Sequence, residues 1–181
     1  MLEICRTFGG ELDLQKAKEI EEAMKRCDLE VGDDLIESVL QSACQSGQAD
    51  YVGYLVGYCT EAIAEDFKEA IADAGFGEFI VNTCTYPNYL NSSGEITIDF
   101  EPEELVEASK EEIERLREEL EGVHEFYSDL LDEARISVEV KVGDYEADIE
   151  DFISLLSEVP EKPEDRKAFF REEGILTVEE E

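Results

Sequence analysis

The chain has one histidine, His124, and few positive charges, with 15 Lys and Arg against 49 Asp and Glu in 181 residues. A lone histidine without paired Cys-His spacing excludes zinc sites and Ser-His-Asp triads. His124-Glu125 lacks the second histidine of a metalloprotease helix, and no P-loop, G-x-G-x-x-G or G-x-S-x-G occurs. Gly75-Phe76-Gly77 reads as a helix stop. Asp144, Glu146, Asp148 and Glu150 alternate like calcium ligands, but the glycine of an EF-hand loop is missing and the stretch reads as a solvated helix face. Among 49 acids, any pair resembles a glycosidase pair, so paired carboxylates carry no information. The expectation is a non-enzyme without cofactor or metal.

Long apolar runs are also absent: none reaches the roughly 18 residues that span a bilayer, and the N-terminus lacks the basic and apolar regions of a leader. A cytoplasmic protein is expected. Cys5, Cys27, Cys44, Cys59 and Cys84 are odd in number and widely spaced, reading as small buried hydrophobes in a reducing compartment. The shortage of Lys and Arg leaves a net charge of −34, far beyond the magnitude of about 2–8 that keeps a small domain soluble. Such a charge works against compaction and argues against direct binding to nucleic acid or an anionic membrane, both polyanions.

Against these absences, 43% of residues are apolar, with nine Phe and seven Tyr, so the chain folds around a core. Residues 1–8 alternate as a short edge strand. Asp13 starts an amphipathic helix (Leu14, Ala17, Ile20, Met24, Cys27) that stops near Val31-Gly32. Asp34 and Glu37 resemble a capping box before a stripe of Leu35, Ile36, Val39, Leu40, Ala43 and Cys44. Asp50 caps a helix over 51–59, where Gly53 and Gly57, four apart, let another backbone approach closely. Thr60 starts a further helix through Ala74. The period then changes to two, predicting a hairpin of strands near 79–86 and 96–100 joined by an eight-residue loop, Pro87 to Gly94. A third strand carries Ile136, Val138, Val140 and Val142, and a helix follows over 145–159. The predicted fold is α+β: an N-terminal helical subdomain, 1–76, then a small antiparallel sheet with one long acidic helix and a shorter C-terminal helix, 77–181.

The long helix, 102–134, dominates the reading. Val106, Ile113, Leu120, Tyr127 and Ala134 keep a seven-residue repeat, with Leu116, Val123 and Leu130 three residues on. At about 1.5 Å per residue it makes a rod of about 50 Å, with Gly122 as its weak point. Its seam predicts a homodimer if the sheet is too narrow to cover it. Between Glu101 and Glu121, ten glutamates face only Lys110, Arg115 and Arg117, a net charge of 3 − 10 = −7. That is one uncompensated charge per about 4–5 Å, near the 3.4 Å spacing along a DNA strand.

In size and charge the chain resembles the acidic anti-restriction and anti-CRISPR inhibitors of phages and mobile elements. The resemblance implies a DNA mimic that binds a basic nucleic-acid-binding protein, such as a CRISPR effector or restriction nuclease, and it transfers no residues. The acids themselves give the candidate partner-binding set: Glu103, Glu104, Glu107, Glu111, Glu114, Glu118 and Glu121 on the rod, and Asp144, Glu146, Asp148, Glu150 and Asp151 on the shorter helix. An immunity protein for a nuclease toxin needs the same electrostatics. A halophile housekeeping domain is the bland alternative; eight lysines fit it, whereas five cysteines and 35 Glu to 14 Asp fit it less well.

Overall fold

In the computed structural model, residues 11–35, 37–38, 41, 50–88 and 91–176 are described, with side chains from Gln15. The expected strand at residues 1–8, the Leu14 side chain, and Ile36, Val39, Leu40, Ala43 and Cys44 lie outside what is described. The chain is mixed helix and sheet, an α+β arrangement. Helices α1 (Glu11–Arg26) and α2 (Tyr51–Asp73) precede strands β1 (Phe79–Tyr86) and β2 (Ser93–Phe100). Then come α3 (Pro102–Glu107), α4 (Lys110–Phe126), α5 (Ser128–Glu133), β3 (Ile136–Val142), β4 (Tyr145–Asp148), α6 (Ile149–Glu158) and α7 (Pro163–Glu172). The four strands form one sheet in the order β1-β2-β3-β4.

Helix α1 buries Ala17, Ile20, Ala23 and Met24, followed by Cys27, on the expected stripe, but it stops before Val31-Gly32. Asp28 adopts φ 56°, and Asp28 N and Leu29 N donate to Lys25 O and Met24 O at 3.2 and 2.9 Å. This is a Schellman closure with a short polar residue in the left-handed position. The two helices expected over 51–74 are one. Asp50 Oδ1 accepts Gly53 N at 2.9 Å as predicted, but Thr60 is fully buried and its hydroxyl donates back to Val56 O at 2.6 Å, so it caps nothing. A mid-helix threonine bonding to the carbonyl four residues earlier lets the helix continue. Gly75, at φ 97°, ends α2.

The 50 Å rod is corrected to three helices. Its breaks fall at Ala108, which is extended (ψ 147°), and at Tyr127, while Gly122 sits inside α4. The signal for the first break is a capping box: Ser109 N donates to Glu112 Oε2 at 2.7 Å and Glu112 N to Ser109 Oγ at 3.1 Å. The carbonyls freed there are taken by Arg166 from α7, whose guanidinium donates to Val106 O at 3.2 Å and to Ala108 O. The seam is covered within the chain: Ile113, Leu116, Leu120 and Leu130 are fully buried. The seam that prompted the expected homodimer therefore has its apolar side chains covered within the chain.

The sheet has a fourth strand where a helix over 145–159 was expected. Gly143, at φ 59°, and Asp144 make a two-residue turn, after which Tyr145 pairs with Val142 and Asp148 with Glu139, antiparallel. Helix α6 starts only at Ile149, with Asp148 Oδ1 accepting Asp151 N at 3.0 Å. The expected β1–β2 hairpin forms with a shorter loop, 87–92, because β2 begins at Ser93.

The chain divides into two compact units of discontinuous segments, a different division from 1–76 and 77–181. Unit one comprises Met1–Ile63, Thr83–Glu95 and Phe126–Ser137; unit two comprises Ala64–Asn82, Ile96–Glu125 and Val138–Glu181. Unit one buries Ile20, Met24, Leu55, Val56 and Ile63. Among its described glycines Gly94 is the most crowded: a Cβ there would collide with Thr60 Oγ1 and lie 3.2 Å from Ile136 Cγ1. Gly94→Ala is expected to cost about 1–3 kcal/mol by overpacking and to lower Tm by roughly 3–10 °C in a thermal scan. Unit two is built around Phe100, which stacks on Phe152 with centroids 5.6 Å apart and meets Phe76 edge-on at 6.3 Å.

Cores of this kind bury enough apolar surface to outweigh repulsion that water already screens. Circular dichroism at about 0.05 and 2 M salt is therefore expected to give the same helical signal. Folding only at the higher salt would point instead to salt adaptation.

Candidate functional site

Charge is unevenly shared between the units. Unit two carries 32 acidic against 9 basic side chains, a net charge of −23; unit one carries 17 against 6, a net charge of −11. One acidic face in unit two belongs to α4. Because Ile113, Leu116 and Leu120 point inward, the 3.6-residue period turns Glu111, Arg115, Glu118, Gly122 and Glu125 outward, and all five are exposed. Glu114, Arg117, Glu121 and His124 form the half-buried flank beside them.

That flank corrects the picture of an uncompensated row. Arg117 donates to Glu114 Oε2 and Glu121 Oε2, both at 2.8 Å, and its guanidinium lies 3.9 Å from Glu118. The hydrogen bond from Arg117 holds the Glu114 carboxyl below the usual carboxylate range, and the same bond raises the guanidinium. The expected row Glu107, Glu111, Glu114, Glu118, Glu121 is also interrupted, since Glu107 belongs to α3 beyond the break at Ala108.

The remaining candidate acids divide by what they do. Glu104 accepts backbone N–H groups from Gly77 at 2.7 Å and Glu78 at 2.9 Å, which ties α3 to the start of β1. Asp148 caps α6, and Glu146 pairs with Lys141 at 3.6 Å. Glu104 and Asp148 are part of the scaffold, and the Glu146–Lys141 pair is an exposed surface contact. Glu103, Glu107, Asp144, Glu150 and Asp151 are exposed. Glu150 lies near the acidic helix, its Oε1 3.8 Å from His124 Nε2. The structure thus places Glu111, Glu114, Glu118 and Glu121 along α4, with Glu150 beside His124 near its C-terminal end, and adds Glu125, absent from the sequence set. Glu125 was legible as the next step of the seven-residue spacing 111, 118, 125.

Among the described residues no group of three or more His, Cys, Asp or Glu is placed to hold a metal ion, and no helix is long and apolar enough to cross a membrane. Cys27 and Cys59 are buried thiols as expected, and burial pushes Cys59 up to about 12, far from a reactive thiolate. Cys84 is exposed on β1, against the expectation of burial. Cys5 and Cys44 lie outside the described residues. No protein-family model, curated protein or solved structure matches the chain.

Proposed function

We propose that the protein is an acidic inhibitor that occupies the basic nucleic-acid-binding surface of a nuclease or another DNA- or RNA-handling protein, in the manner of anti-restriction and anti-CRISPR inhibitors. The observation that carries this reading is the exposed acidic face of α4, Glu111, Glu118 and Glu125, within a unit whose net charge is −23. Glutamates seven residues apart on a helix repeat about every 10 Å, so they meet a surface of Lys and Arg as a spaced array of charges. A surface built to neutralise phosphates attracts such a face from a distance, and occupying it excludes the nucleic acid. No single residue does the work.

Capture tests this reading. Protein immobilised at low salt is exposed to a lysate, and the bound fraction is challenged with short duplex DNA or tRNA, then with uncharged polymer at the same mass. Nucleic-acid-binding proteins released by either nucleic acid but not by the polymer support it. An empty bound fraction, or one that neither nucleic acid displaces, contradicts it.

A further inference from the structure

Unit one contains a cavity of about 760 Å³, within the size range of small-molecule sites, which neither the acidic helix nor the core explains. One wall is a single stripe of α2, Gly53, Tyr54, Gly57, Tyr58 and Glu61, spaced by three and four so that all face the same way. The two glycines read from sequence as a docking point for another backbone. Instead, a Cβ on Gly57 would meet the Thr85 side chain at 3.4 Å, and one on Gly53 would meet the carboxylate of Asp50, so among the described residues side chains, not a backbone, lie closest to the two glycines. The opposite lining includes Leu35, Asp34, Thr85 and Pro87.

The chemistry of this lining selects its ligand. Most of it is apolar, two tyrosine rings flank the glycines, and among the described residues its only ionisable side chains besides those tyrosines are carboxylates. Tyr58 is held in place by donating its hydroxyl to Glu30 O at 3.0 Å. Asp50 is occupied with capping α2, which leaves Asp34 and Glu61, both exposed at the rim, to attract charge. No Lys or Arg occurs from residue 27 to residue 67, so neighbouring chain supplies no competing cation.

We infer that this cavity binds an organic cation with an apolar body, of the quaternary or alkyl ammonium type: the tyrosine faces and rim carboxylates take the charge, and Leu35 and Pro87 take the alkyl groups. This site is independent of the acidic face of unit two and stands or falls without it.

Choline and its uncharged isostere 3,3-dimethylbutan-1-ol separate cation recognition from simple filling of space. Titrated into the full chain and followed by amide NMR, choline is expected to saturate with shifts centred on Gly53, Gly57 and Thr85. The alcohol should bind about 5- to 30-fold more weakly, the ratio that cation–π contact supports. Gly57→Ala removes cavity space with a contact no tighter than 3.4 Å at the new Cβ, so it should keep the fold and weaken choline about tenfold or more. Tyr58→Leu should weaken choline while sparing the alcohol. Shifts that spread over the acidic surface as sodium chloride shifts do at equal ionic strength would overturn the inference. So would equal affinity for the two probes, or a folded Gly57→Ala variant that binds choline unchanged.

Discussion

Replacing Arg166 by alanine is expected to cost about 3–5 kcal/mol and to lower Tm by about 6–20 °C, the largest loss from any single substitution considered. Arg166 is 1% exposed and hydrogen-bonds four backbone carbonyls, those of Val106, Ala108, Pro160 and Glu161. The first two end α3, where the chain leaves the helix and its last carbonyls have no partners of their own. Alanine leaves all four without this donor and empties the space around them. Lysine does not rescue the site, because three donors on one nitrogen cannot reproduce a planar fork reaching carbonyls on two segments. Burial lowers the guanidinium pKa, yet arginine remains charged at any physiological pH, so the loss should be flat between pH 6 and 8. Differential scanning calorimetry of Arg166→Ala and Arg166→Lys checks this. Equal Tm values for wild type and both variants would show that the break at Ala108 needs no clamp.

Reversing Glu111, Glu118 and Glu125 to lysine is expected to slow association with a captured target by about 10- to 1,000-fold at low salt and to flatten its salt dependence. The three are exposed, lie on the wet side of α4, and are not the principal partners of Arg117. The change is +6 on a unit carrying −23, enough to invert the sign of this face without touching Ile113, Leu116 or Leu120. Each exposed pair contributes only about 0–1 kcal/mol, so single reversals should be nearly silent. The triple variant should differ sharply from any of its parts. Stopped-flow association at about 0.05 and 0.3 M salt, with circular dichroism to verify folding, measures the effect.

The fold was legible where one face of an element is buried and its period is clean. The α1 stripe of Ala17, Ile20 and Met24 and the β3 alternation of Ile136, Val138, Val140 and Val142 follow directly from such patterns. It was illegible where a short local signal competes with a long periodic one. The row Val106, Ile113, Leu120 carries the seam across Ala108, and only Ser109, polar where later repeats have Leu116, Val123 and Leu130, interrupts it; with Glu112 it starts a new helix. Thr60 gave the opposite error, since a good capping residue by type becomes a mid-helix hydroxyl when it is buried. At 145–148 the turn at Gly143-Asp144 outweighed the helical spacing of the acids that follow.

The candidate site was legible in kind and less so in detail. Glu111, Glu118 and Glu125 follow from helix period alone once the core face is known. That Glu104 is spent on Gly77 N and Glu78 N, and Glu114 and Glu121 on Arg117, depends on contacts that no local spacing of acids announces for Glu104. The groove at Gly53 and Gly57 required knowing that, among the described residues, side chains of Asp50 and Thr85 and not a backbone lie against them.

The most direct test of the acidic face is competition for one captured target. A fluorescent duplex bound to that target is titrated with wild-type protein, with the Glu111, Glu118 and Glu125 to lysine variant, and with a control in which Glu22, Glu30 and Glu37, exposed in unit one, are reversed instead. Displacement of the duplex by wild type and control, lost in the α4 variant and weakened by salt, is the predicted result. Displacement by the α4 variant equal to that of wild type, or its loss in the control alone, would contradict the account.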